Sequence, residues 1–183
     1  MSDNFKIIGV GGAGVNIVKE LGYENSLFID SSRLSASGGV DEFVRAQPKG
    51  GRVVIVSSPA GQFSSSVLNA ICSGLNSRGN RVFFVGIMPF HSESPERRKR
   101  GEEVMMTISR MVDSAAVVEN ENFASSMMEF PFSQVMARIN RYVDEVVKKF
   151  LNIDVGPNDS VTETSGNTQR QAEFRPGISV GFN

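Results

Sequence analysis

The chain has 183 residues, 40% of them hydrophobic, with 19 Lys and Arg against 20 Asp and Glu and a formal net charge of -1. That length supports one compact domain plus a tail but no second large domain, and the charge balance gives no electrostatic reason for non-specific nucleic-acid or membrane-surface binding. A single histidine, His91, excludes multi-histidine metal sites, and a single cysteine, Cys72, excludes a disulfide within the chain.

In chain order, the first strand-like run is Phe5 to Val10, which passes into Gly9-Val10-Gly11-Gly12-Ala13-Gly14-Val15-Asn16. Gly9, Gly11, Gly12 and Gly14 place no side chain between backbone and ligand, so the turn reads as a cradle in which N–H groups and a helix start close on a di- or triphosphate. A tight strand-to-helix turn without ligand has the same glycines. Asn16, on the first helical turn, offers a donor and an acceptor to a base edge. Further β-rich runs fall at 26–29, 52–57, 81–88 and 115–118, and apolar residues at three- and four-residue spacing predict helices over 16–21, 64–75, 95–112 and 132–151.

Short buried strands alternating with helices predict an α/β Rossmann-like domain, a mostly parallel sheet with helices on both faces. Ligands on such sheets gather at the carboxyl ends of the strands, which gives the glycine turn, the 57–63 turn and the 89–93 loop one shared rim. Segment 31–51 is expected to hold no more than one small helix, near 41–44. Cys72 sits in an apolar helical pattern and reads as a small core residue. No run approaches the roughly 18 apolar residues of a membrane span, and the unpaired cysteine suits a reducing compartment, so the expected location is cytoplasmic. The domain is expected over 1–153. From residue 154 onward, Gly, Pro, Asn, Ser, Thr and Gln dominate, the composition of a disordered or partner-ordered tail. Its end, Phe174-Arg175-Pro176-Gly177-Ile178-Ser179-Val180-Gly181-Phe182, regains apolar residues and reads either as a docking peptide or as a frayed terminus.

Four separated segments resemble, in order and character, the FtsZ and tubulin family of GTP-binding filament proteins, over roughly the first 150 residues. The run Gly9 to Val18 matches the frame of the family's GVGGGGGNAV loop, with Asn16 at the guanine-contacting amide. Phe28-Ile29-Asp30 resembles the second loop, which approaches the nucleotide. Pro89-Phe90-His91-Ser92-Glu93-Ser94-Pro95-Glu96-Arg97 resembles PFxxEGxxR, whose acid and arginine hold the ribose and phosphate region. The stretch from Pro131 to Asn140 is similar to the opening of the central helix, where an aromatic stacks on guanine and an asparagine bonds its edge. Here Met136 replaces the aromatic and Asn140 is present.

The resemblance implies a bound GTP or GDP, and association either with itself or within a larger assembly. It also has departures. The GGGTGTG phosphate loop is represented by Ser58-Pro59-Ala60-Gly61-Gln62-Phe63-Ser64, in which Ser64 and the serines after it can bond phosphate or cap the helix. The loop that senses the terminal phosphate is almost entirely missing from the shortened segment 31–51, and the second domain that positions the attacking water in the family is absent. Nucleotide binding is therefore expected to be weak or lost, and hydrolysis slow or absent.

Two other readings stay open. A small Rossmann-type enzyme would hold an NAD ribose on Asp30 and use His91, Tyr23 or Tyr142 as proton donor. A nucleotide-free interaction module would retain the fold alone. The cluster Arg97-Arg98-Lys99-Arg100, at a helix opening, reads as a seat for an anion or an acidic partner, or as a solvated charged turn.

Overall fold

The computed structural model describes residues 5–152; the tail from residue 154 lies outside them. β1 (Phe5–Val10) runs directly into α1 (Gly11–Leu21), followed by β2 (Ser26–Ile29), α2 (Ser31–Ala36), α3 (Val40–Arg45), β3 (Arg52–Ser57) and α4 (Gln62–Ser77). β4 (Arg81–Met88), α5 (Pro95–Ser109), β5 (Ser114–Glu119), α6 (Asn120–Ser126) and α7 (Phe132–Leu151) complete the domain. The five strands form one sheet of order β2-β1-β3-β4-β5, and every adjacent pair is parallel. Parallel neighbours require helical crossovers, which bury both faces and make each strand almost continuously apolar.

The alternation of side chains along the strands divides the core in two. Ile8, Val10, Val53, Ile55, Phe84 and Met88 face α2 to α5, packing on Leu34, Phe43, Leu68, Ile71, Cys72 and Ile108. Ile7, Val54, Val56, Phe83 and Val85 face α1 and α7, packing on Ile17, Val18, Ile139, Val143 and Val147. Burial pushes the Cys72 thiol up to about 12, so it stays a protonated core group.

Segment 31–51 departs from the sequence expectation, since it holds two helices. Asp30 accepts from the Arg33 backbone N–H at 2.8 Å and caps α2. Gly38 and Gly39, both at positive φ, break the chain before α3. Leu34, Phe43 and Val44 are buried, and Val44 packs where α4 has Gly74 in place of a side chain. α3 is the helix expected near 41–44, and the additional one is α2, whose single buried residue, Leu34, shows no helical period. α6, similarly short, was also not expected, and α1 begins at Gly11 rather than at Asn16.

Both α1 and α7 start at the carboxyl ends of the strands and descend across one face. At the lower end Arg52 of β3 donates to the Leu151 carbonyl at 2.5 Å, and Phe83 stacks on Phe150 with centroids 5.1 Å apart. Tyr23, in the α1–β2 connection, donates to Asp144 of α7 at 2.6 Å. Burial and the Asp144 charge raise the Tyr23 phenol above its ordinary value near 10, and burial raises Tyr142. Between the unfolded and folded pKa the unfolded state has lost a proton that the native state keeps, so stability falls as pH rises above about 10. A series of urea melts from pH 8 to 11 is expected to show that decline, and Tyr23→Phe is expected to flatten it.

Candidate functional site

The order of the strands reverses between β1 and β3, and their carboxyl ends define the topological switch point at which ligands settle on open α/β sheets. Two helices begin there. α1 follows β1 without an intervening loop, α4 follows β3 after Ser58 to Gly61, and neither start carries a side-chain cap. The first turns of two helices thus meet with their N–H groups unclaimed by side chains, a local positive potential suited to an anion.

The four glycines divide by role. Gly9 in β1 faces the Gly14 carbonyl, where an added Cβ would sit 2.5 Å from the oxygen. Gly14 of α1 lies on the Val56 carbonyl, and Gly11, at φ 72°, lies on the Ser64 Oγ. These three are used in seating α1 on the sheet and on α4. Gly12 alone has nothing within 4 Å of its Cβ position, and it is exposed.

Ser64 is 3% exposed and its Oγ reaches the Val10 carbonyl at 3.5 Å, while Ser57 donates to the same oxygen at 2.7 Å. Both hydroxyls tie the rim together from beneath. Ser57 was not singled out in the sequence, because a serine ending an apolar strand carries no spacing signal.

Gly12, Asn16 and Glu20 follow at four-residue intervals and so share one stripe of α1. Asn16 is exposed. Asn140 of α7 is 7% exposed and donates to Glu20 at 2.6 Å, while its own Oδ1 is buried without a partner. Met136, one turn nearer the rim on α7, is partly buried against the α1–α7 core. Gly12 and Asn16 thus lie on the upper turns of α1 beside the rim, whereas Asn140 sits at the level of its partner Glu20, about 12 Å further down α1, and Glu20 is the residue to which the sequence did not point. Its spacing of four from Asn16 was the available signal.

The remaining residues have internal partners. Glu93 accepts from the Phe90 N–H at 3.0 Å and pairs with Arg97 at 2.8 Å, while Ser94 caps α5. Arg98 makes a bidentate pair with Glu119 of β5 at 3.1 to 3.2 Å and a further contact with Glu102. Lys99 approaches Glu103 at 4.0 Å, and Arg100 donates to the Ala60 carbonyl at 3.2 Å. The basic cluster is thus held by carboxylates and by the β3–α4 loop.

For the dinucleotide-enzyme reading, Asp30 has a carboxylate oxygen committed to its helix cap. Tyr23 lies at the opposite edge of the sheet from the rim. His91 is exposed, with its backbone N–H donating to Glu121 at 2.9 Å. Among the described residues no group of three or more His, Cys, Asp or Glu is placed to hold a metal, and no helix is long and apolar enough to cross a membrane.

A five-stranded parallel sheet with α1 at its switch point and a long helix crossing beside it is an FtsZ/tubulin-like fold. An empty FtsZ dimer from M. jannaschii superposes with a TM-score of 0.67 at 16% identity, covering 83% of this chain and 55% of that one. A point variant of M. jannaschii FtsZ gives 0.63 at 15% identity, over 81% and 56% of the two chains. CetZ from Methanosaeta thermophila gives 0.61 at 15% identity, over 81% and 54%. The chain spans about half the length of these structures. No family model matches the sequence, and no curated protein matches it.

Proposed function

We propose that the chain binds a guanine nucleotide at the rim and acts through self-association or as a subunit of a larger assembly, with hydrolysis slow or absent. The observation that carries this reading is the meeting of two uncapped helix starts at the switch point, beside the open backbone of Gly12. The phosphates would lie over the first turns of α1 and α4, and the base would lie toward Asn16, Met136 and Asn140. Glu93 and Arg97, paired with each other, would turn to ribose and phosphate. The fold shared with FtsZ and CetZ supports guanine as the base, and the dimeric state of one of those FtsZ structures supports self-association.

A second reading is favoured by the same partners. Asp30, Ser64, Glu93, Arg97 and Asn140 all have internal contacts, as expected of a fold that stands without nucleotide. Denaturing the purified protein and identifying any released nucleotide, followed by calorimetry with GDP and with NAD, separates the readings. GDP is expected to bind. Asn16→Ala, at an exposed position, is expected to leave the urea midpoint unchanged and to weaken GDP binding about tenfold to a hundredfold, the loss of one base contact worth roughly 1 to 3 kcal/mol. Binding of NAD without GDP points to the dinucleotide enzyme, and binding of neither to the interaction module.

A further inference from the structure

On the face opposite α1 and α7, a groove of about 210 Å³ runs between α5 and β5, lined by Met88, Met105, Met106 and Val117 with Glu102, Glu119 and Ser109 along it. Met106 is 49% exposed on its lip. β5 pairs with β4 on one side and has no strand on the other among the described residues. An apolar groove beside an open strand edge is the geometry that accepts an added strand, with the backbone supplying hydrogen bonds and alternate side chains filling the groove.

We infer that residues 178–182 of the same chain add to the β5 edge as a sixth strand and seat Ile178, Val180 and Phe182 in this methionine-lined groove. Three observations select this occupant. Ile178, Val180 and Phe182 alternate with Ser179 and Gly181, so one face of the segment is apolar and the other is small. Pro176-Gly177 directly before it marks a turn and sets where strand pairing can begin.

Charge is the second argument. Glu102 and Glu119 share the single guanidinium of Arg98, which leaves one negative charge in excess at the upper end of the groove, and Arg175 stands three residues before Ile178. Pairing Arg175 at that end makes the added strand antiparallel to β5, with Ile178 at the level of Val117 and Val180 nearer Ser109.

Reach is the third. α7 ends at Leu151 on the lower edge of the sheet, and residues 152–177 lie between it and the segment. A flexible linker of that length has a root-mean-square span of about 28 Å, close to the roughly 30 Å length of a 20-residue helix. Such a tether gives an effective concentration in the millimolar range, so a strand too weak to bind in trans is held in cis. The inference stands whether or not the rim binds nucleotide.

Hydrogen exchange on the full chain provides the test. The outer β5 amides are expected to be protected, and Val180→Asp is expected to speed their exchange about tenfold or more while leaving β1 and β3 unchanged. Met106→Glu, on the lip, is expected to do the same from the groove side. Oxidising the Ser109→Cys, Val180→Cys double variant is expected to give a disulfide within one chain, with the buried Cys72 thiol not competing. Unchanged β5 exchange in Val180→Asp and Met106→Glu overturns the inference. So does a disulfide between chains, which assigns the groove to a second copy, or the absence of any disulfide.

Discussion

Gly14→Ala is expected to lower the stability of the domain by about 3 kcal/mol or more, at the upper end of the range for overpacking. The added Cβ meets the Val56 carbonyl oxygen, and behind it the Val56 carbonyl carbon at 3.0 Å and the Ser57 Cα at 3.1 Å. All three are backbone atoms of a central strand, so no rotamer change can relieve the contact. Either α1 lifts from β3 or the strand bends, and both open the core formed by Ile17, Val18, Val54 and Val56. Gly12→Ala, two residues earlier on the same helix, meets nothing within 4 Å. It is expected to be neutral or to stabilise by roughly 0.5 to 1 kcal/mol, since alanine loses less conformational entropy in a helix. Urea melts of the pair decide the matter, with Gly14→Ala displaced by about 1 to 3 M for ordinary denaturant slopes. Equal effects at the two positions would refute the division between glycines that seat the helix and the one that faces outward.

Phe84→Ala is expected to cost about 3 to 5 kcal/mol. Phe84 is fully buried in β4, with β3 on one side and β5 on the other, and it packs in the core beneath α4 and α5. Its ring edge lies over Gly86, where an added Cβ would sit 3.0 Å from the ring, so the space for the ring comes from the missing side chain two residues on. Because both flanking strands are fixed in register, the cavity cannot collapse, and the full packing loss is felt. At roughly 2 to 4 °C per kcal/mol for a domain of this size, the melting temperature should drop by about 10 °C. Phe132→Ala serves as the control. That ring is 66% exposed, touching Phe90 at 5.9 Å between centroids, and its removal is expected to change stability by less than about 0.5 kcal/mol. A cost below about 1 kcal/mol for Phe84→Ala would mean that the core relaxes in a way this packing does not allow.

The sheet and its long helices were legible because their signals are extended. β3 and β4 are runs of Val, Ile and Phe that suit burial on two faces, and α7 repeats its apolar positions from Val135 to Leu151 over five turns. The short helices α2 and α6 were not legible, since six or seven residues hold too few periods, whereas α3 falls on the helix expected near 41–44 and packs Val44 against Gly74. At the site, the sequence pointed to particular side chains but not to the internal partners that those side chains take. Four glycines in one motif suggested one shared role, yet a glycine tolerated by a ligand and a glycine required by a carbonyl across the sheet look the same in the chain. Glu93 and Arg97 were read toward ribose and phosphate, and the structure pairs them with each other at 2.8 Å. Asn140 was read toward a ligand edge, and its bond to Glu20, 120 positions away, carries no local trace.

The anchoring of α7 has a mechanical consequence. Arg52 holds its last carbonyl, Phe150 is stacked on the sheet, Asp144 is bonded to Tyr23, and Asn140 is bonded to Glu20. A slide by one helical turn, about 5.4 Å, would have to break all four together. The helix therefore acts as a strut rather than a piston. A displacement of its upper end, where the exposed Phe132 ring touches Phe90, is resisted at once by α1, the α1–β2 connection, β3 and β4.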